Sequence, residues 1–382
     1  MKLSKIIFSH KILPTLIALV IILVMLFLPN QYENPVYKHH IRVTATVLSV
    51  DNSLVNHIGL ITYGDQIGEV EVSTGIYKGQ RFKASNMLLG KLESDKLFKA
   101  GDKALIVMQP NLDNSEIVKV TMVDHYRLHF ESILVIAFAI LLIVLAGWLG
   151  VRAIVSFVFT VLALWKVLIP AFLMGYHPVM VGMLFTLILT TLITMLVYGF
   201  GRCFLAAVLG SFLGIIITAG MAIYFVDVFK VHGAVMSFSE NLLYSGFSTL
   251  NLNHIFIASI FIASSGAVMD VAVDITSAVS EVVEKKPDIS KFEAIKSGLT
   301  VGRAVIGTMT TTLLLAYSGG YLALLMVFVG QGVPLTNILN FNYVSAEILH
   351  TMVGSFGLIT VVPFTAITSG VLLAGLTSTV RD

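Results

Sequence analysis

The chain has 382 residues, 57% of them hydrophobic and only 12% charged, where a soluble domain carries roughly a quarter of charged residues, and this excludes a soluble globular protein. A net charge of +2, from 24 Lys and Arg against 22 Asp and Glu, comes without a long basic run and leaves nucleic-acid binding no electrostatic support. The single cysteine, Cys203, excludes an intrachain disulfide and any cysteine-rich metal site.

A helix needs about 20 mostly apolar residues to cross ~30 Å of hydrocarbon. In chain order such stretches lie near Ile12–Pro29, Ser132–Val151, Ile154–Leu173, Val179–Tyr198, Cys203–Val226, Ile255–Ile275, Ala304–Val329 and Ala346–Leu376. They predict about eight transmembrane helices. Lys2, Lys5 and Lys11 precede the first stretch, but no cleavage pattern of the Ala-x-Ala kind follows it, so residues 1–29 read as a retained anchor helix.

Between the first and second stretches the composition changes. Residues 30–127 carry 22 of the 46 charged side chains, 11 of each sign. Ile41, Val43, Ala45 and Val47 alternate with Arg42, Thr44 and Thr46, the period-2 pattern of a half-buried strand. Glu69–Val72, Gly79–Lys83, Asp102–Val107 and Ile117–Val123 repeat it between Gly and Asn/Asp turns. Five or six short strands predict a small β-barrel-like domain of the OB or SH3 type. It lacks the paired aromatics of a nucleic-acid platform and reads as a spacer or gating module. The division is therefore an anchor (1–29), a β-rich domain (30–127) and a seven-helix membrane domain (128–382).

Orientation follows from Lys and Arg in short loops and tails. The N-terminus, Arg152, Arg202, Lys285–Lys296 with Arg303, and Arg381 fall on one side if the spans alternate, while Lys230 alone marks the short loops of the other. The expectation is a bacterial cytoplasmic membrane protein with both termini cytoplasmic and residues 30–127 extracytoplasmic.

Charged groups inside a span cost at least ~2.5–3.5 kcal/mol each, so an intramembrane carboxylate is a functional-site hypothesis. Asp270, Asp274, Ser277 and Glu281 follow at i, i+4, i+7 and i+11. At about 100° per residue they fall within a sector of about 60°, a polar stripe that should meet protein or water rather than lipid. Glu281 and Asp274 also fit simple solvation at the inner end. Asp270 lies deeper and is the best candidate for an ion- or proton-handling group. Its expected partners are Arg303 and the hydroxyls of Thr308, Thr310, Thr311 and Thr312, on a span where Gly298, Gly302 and Gly307 allow close helix approach.

Ser318-Gly319-Gly320 interrupts that span, and Pro363 falls within the last one, which predicts a broken or strongly tilted helix. Gly319, Gly320 and Pro363 are thus the candidate breaks where freed backbone could line a cavity. Lys166, between Trp165 and Pro170, either snorkels through its apolar stem or couples to transport. Glu347 and His350 are one turn apart, a spacing found in metal sites but read here as a solvated interfacial pair. The outer loop Asp227–His254 mixes apolar residues with Ser and Asn and is expected to lie on the membrane or dip into it. Neither a His-Glu-x-x-His zinc motif nor a Gly-x-x-x-x-Gly-Lys phosphate loop occurs, and no serine has an assignable base. No catalytic residue, metal or cofactor is expected.

Gly266-Ala267-Val268-Met269-Asp270-Val271-Ala272-Val273-Asp274, then Ser297-Gly298, Gly302-Arg303 and Gly307-Thr308-Met309, then Leu315-Ala316-Tyr317, and finally Gly354-Ser355-Phe356-Gly357 with Val362-Pro363-Phe364-Thr365, together resemble the YibE/F-like family of bacterial multi-pass membrane proteins. The resemblance covers about residues 130 to 377 and implies an α-helical polytopic fold. The family pattern has Asn where Thr311 stands and no second acid at Asp274. A fainter local likeness, around Asp270, Glu281 and the Thr-rich span, is to SecD/SecF-type proton-driven exporters, and by that analogy Asp270 would carry protons.

Two functions follow from these residues. In one the chain is an ion- or proton-coupled transporter or exporter using Asp270. In the other it is a non-catalytic membrane assembly or scaffold protein whose outer domain binds a cell-envelope protein. Beyond the lipid bilayer and protons or other ions, no residue identifies cargo, direction or oligomeric state.

Overall fold

A computed structural model describes residues 12–29, 40–111 and 116–375. The chain divides into two compact units, one formed by Asn30–Leu145 and the other by Met1–Pro29 with Ala146–Asp382.

The first unit is a closed barrel of β1 (Ile41–Ile58), β2 (Ile61–Val72), β3 (Arg81–Leu89), β4 (Lys103–Pro110) and β5 (Ile117–His125), ordered β1-β2-β3-β5-β4 and closed on β1. β1 pairs antiparallel with both β2 and β4, and β3 runs parallel to β5. That is the OB arrangement of the two expected. The predicted alternation holds: Val43, Ala45 and Val47 point inward with Val70, Val72, Ala84, Phe98, Ile106 and Met122.

Two strands are longer than expected. β1 has 18 residues and β2 has 12. Asp51-Asn52-Ser53 looks like a turn in sequence but is an irregularity within β1, where the register shifts between Asp51 and Leu54. The Asp51 carboxylate accepts the Ser53 backbone N–H at 2.9 Å, which satisfies the disturbed backbone locally. The true turn comes at Gly59, with φ +59°.

A buried polar network ties the barrel to the segment before β4. Gln66 donates to Asn52 Oδ1 (2.8 Å) and to the Phe98 carbonyl (2.9 Å), and its own oxygen accepts from Asn86 (3.1 Å) and the Phe98 N–H (2.9 Å). Every polar atom of the amide is used, which is what makes its complete burial tolerable. Helix α2 (Leu128–Ala146) follows β5 and has no buried residue. For that reason the compact unit extends through it to Leu145, whereas the sequence division falls at residue 127.

The second unit holds α1 (Leu13–Phe27), α3 (Trp148–Leu173), α4 (Pro178–Tyr198), α5 (Arg202–Val228), α6 (Leu252–Lys285), α7 (Lys291–Gly330) and α8 (Asn342–Leu373). With α2, seven helices among the described residues are long and apolar enough to cross a membrane. The eighth expected, α1, spans 15 described residues, short of the ~17 a crossing requires. It packs Ala18, Ile22 and Met25 against Val155, Phe159 and Phe185 of α3 and α4. The orientation-marking cations Lys2, Lys5, Lys11 and Arg381 lie outside the described residues.

α8 is the centre of the bundle, packing on α5, α6 and α7. Glycines make the crossings close. A Cβ at Gly210 or Gly214 of α5 would meet Thr365 or Val361 of α8, one at Gly357 of α8 would meet Thr218 of α5, and Gly298 and Gly302 of α7 lie against Ala366 and Val362. This small-residue contact lets backbones approach where lipid removes the hydrophobic drive to associate. The last span departs from expectation: α8 runs unbroken through Pro363. α8 packs on three neighbouring helices, and Pro363, itself exposed, removes a single N–H from a ladder that continues on both sides of it. Gly319 and Gly320 do interrupt α7, as a 3-10 turn over Gly319–Tyr321.

Candidate functional site

α6 has 34 residues, about 51 Å at 1.5 Å per residue, so it overshoots ~30 Å of hydrocarbon. Its Asn251 cap accepts the His254 N–H at 3.0 Å. One face, with Val268, Val271, Ala272, Ile275, Thr276 and Val279, is buried in the bundle, and Thr276 bonds Ser369 of α8 at 3.0 Å. The opposite face carries Asp270, Asp274, Ser277 and Glu281, all exposed. The predicted stripe is present as a face, but the described helices of this unit leave it uncovered.

The edge of the stripe is pinned. The Tyr198 hydroxyl, at the end of α4, lies 2.6 Å from the Val273 carbonyl and 2.7 Å from Ser277 Oγ, and Cys203 Sγ donates to Ser280 Oγ at 3.4 Å. Glu281 pairs with Lys285 at 2.6 Å on the exposed end of the helix. That pairing makes it a terminal ion pair rather than an intramembrane acid. Asp270 and Asp274 remain as two carboxylates one turn apart. Like charges at i and i+4 on an exposed helix face repel by about 0.2–0.5 kcal/mol, which a bound cation or proton relieves.

The expected partners are elsewhere. Arg303 is exposed and forms no ion pair with Asp270. Thr308, Thr311 and Thr312 are also exposed, and each donates to its own helix, at Val305, Gly307 and Thr308; Thr310 does the same at Ile306. α7 buries Ala294, Gly298, Gly302 and Leu313 instead, which turns the arginine and the exposed hydroxyls away from the bundle. A local backbone acceptor four residues back is always in reach of a helical threonine, so a hydroxyl-rich run needs no distant partner.

Lys166 has a structural task. Pro170 has no N–H for the Lys166 carbonyl, and the helix passes through a π turn at Leu164–Leu168. Lys166 Nζ then donates to the Leu28 carbonyl at 2.9 Å, at the C-terminal end of α1, where a cation is favoured. Arg152, in sequence a loop cation that marks orientation, is part of the packed bundle. It is buried and donates from Nη1 to the Leu196 carbonyl at 3.0 Å near the C-terminal end of α4.

Glu347 and His350 are not a solvated pair. Glu347 Oε1, His350 Nε2 and Tyr317 Oη are buried without a hydrogen-bond partner. The Tyr317 ring stacks on His350 at 4.5 Å and Phe256 stands edge-on at 6.4 Å. A cavity of about 140 Å³ opens beside Glu347, walled by Ser318, Tyr321 and Thr351 with apolar side chains. Sequence spacing joins Glu347 to His350, but Tyr317 and Tyr321 reach them only through the packing of α7 against α8. Among the described residues no group of three or more His, Cys, Asp or Glu could hold a metal ion.

No curated protein matches the chain, and neither does any solved structure. The likeness to SecD/SecF-type exporters thus gains no support. Residues 134–375, from within α2 to the end of α8, match the family described as YibE/F-like protein, and with well over half of its length matched, this membrane-type helical chain belongs to that family.

Proposed function

We propose that the chain is an ion- or proton-coupled transporter or exporter in the bacterial cytoplasmic membrane, with both termini cytoplasmic and the barrel on the outer side. The observation that carries the reading is the Asp270–Asp274 pair. It lies on the uncovered face of a helix whose other face is wholly packed. Two carboxylates turned to hydrocarbon would each cost at least ~2.5–3.5 kcal/mol. Water along that face removes the cost and makes the stripe a conduit. Asp270 gains or loses its charge there, and the change biases two arrangements of the bundle. The Tyr198–Ser277 contact anchors one flank of the stripe, and no catalytic step is involved.

A pH step across proteoliposomes with an internal pH dye tests this. Asp270→Asn is expected to lower proton flux about tenfold, as loss of a charge-carrying group in a span implies. Equal flux in parent and variant, or parent flux no greater than in empty vesicles, overturns it.

The same uncovered face favours a second reading, in which another helix or chain covers the stripe and the protein is a membrane assembly component whose barrel binds a cell-envelope protein. Under it Asp270→Asn leaves flux at the empty-vesicle level, like the parent, and weakens cross-linking to that partner.

A further inference from the structure

The barrel carries an apolar tip in the most charged part of the sequence. From Asn52 to Gly64, across the β1–β2 hairpin, no Asp, Glu, Lys or Arg occurs. Leu54, Ile58 and Leu60 are exposed there, Leu60 at 85%. Ile61, Leu89 and Leu92 extend the patch.

Register shows which end of the barrel this is. Ser85 of β3 pairs in parallel with Thr121 of β5, so Leu89 is level with His125, the last residue of β5. Leu89 pairs with Tyr63, and the turn at Gly59–Leu60 lies about four residues further, ~13 Å beyond at 3.3 Å per residue. The hairpin therefore projects past the end of the barrel from which the chain leaves for α2. That exit is aromatic, with Tyr126 stacked on His129 at 5.9 Å and His129 tilted against Phe130 at 3.7 Å, and Tyr is a side chain that favours a membrane–water interface. Nineteen apolar-rich residues of α2 follow without one being buried.

We propose that the β1–β2 hairpin tip is a lipid-anchoring element that inserts Ile58, Leu60 and Ile61 into the interfacial layer of the same bilayer α2 enters. Its partner is a lipid surface, and the barrel is held against the membrane at a second point besides its covalent link. The projection of ~13 Å past the aromatic junction is long enough to reach the ~5–10 Å depth of interfacial elements. Membrane contact also accounts for the missing charges, since each would resist insertion.

The test uses the full chain in proteoliposomes, with Trp148→Phe and Trp165→Phe removing the native fluorophores. Leu60→Trp is the reporter, Ile58→Trp a second one, and Ile76→Trp, in the exposed turn at the opposite end of the barrel, the control. Acyl-chain-brominated phosphatidylcholine should quench Leu60→Trp and Ile58→Trp at least about twofold more than Ile76→Trp, with iodide quenching in the reverse order. Iodide access to residue 60 equal to that at residue 76 overturns the proposal. So does protection of residue 60 from both quenchers, the result of a tip buried against a second copy.

Discussion

Arg152 and Lys166 both lie on α3, and each donates to a carbonyl at or near the C-terminal end of a helix. A helix end leaves several carbonyls without intrahelical donors and carries a partial negative charge. A long cationic side chain from a neighbouring helix serves both needs. Arg152→Met should cost about 2 kcal/mol, the value of a charged hydrogen bond to a buried acceptor, and Arg152→Lys should recover part of it. Thermal unfolding in detergent measures this, and an unchanged midpoint for Arg152→Met would contradict it. In the barrel, the Ser53 backbone N–H, then its hydroxyl, hold the Asp51 carboxyl below its ordinary value of 3.8. A depressed value stabilises the fold above pH 3.8 and the benefit disappears as pH falls through the folded value. Hydrogen exchange of the β1–β2 amides in the full chain should therefore show a difference between parent and Asp51→Asn at neutral pH that closes below about pH 4. A difference that persists into acid would exclude this source.

Among the elements, the glycines of α5 differ in what surrounds them. A side chain at Gly210 would strike Thr365 of α8, while nothing lies within 4 Å of a Cβ at Gly220. Gly210→Leu should destabilise the bundle by about 3 kcal/mol through forced separation of two backbones, and Gly220→Leu should change stability by less than ~0.5 kcal/mol. Equal effects would mean that the α5–α8 contact does not hold the bundle together. The same comparison explains Pro363 and Gly319-Gly320. In α8, packed on three sides, proline leaves the helix unbroken, whereas two glycines in α7, whose spanning stretch is almost wholly uncovered, leave the chain free to tighten into a 3-10 turn. Breaks follow from the support around a residue as much as from its own conformational preference.

For the whole molecule, the spans and strands were legible because their signals are local. Period-2 alternation placed Val43, Ala45 and Val47 inside the barrel, and hydropathy located all seven long helices, although α6 runs on to Lys285 and α7 begins at Lys291, well beyond the apolar stretches Ile255–Ile275 and Ala304–Val329. The polar stripe was legible too, since four residues on one helix share a direction wherever that helix goes. Its surroundings were not. Whether Asp270 meets Arg303, a threonine, water or another chain depends on how α6 and α7 rotate against each other. Gly298 and Gly302 decided that rotation by packing on α8. The orphaned polar atoms of Tyr317, Glu347 and His350 were equally hidden, because they come from two helices whose packing brings together residues thirty apart in the chain. The charge-free hairpin from Asn52 to Gly64 could be read by counting, but its level relative to α2 needed the β3–β5 register. Sequence alone thus determined the membrane class, the strands and which residues share a face, since these are set by short-range periodicity and transfer energy. Tertiary structure alone decided which faces are covered and by whom, because contact between helices depends on side-chain volume at residues far apart in the chain.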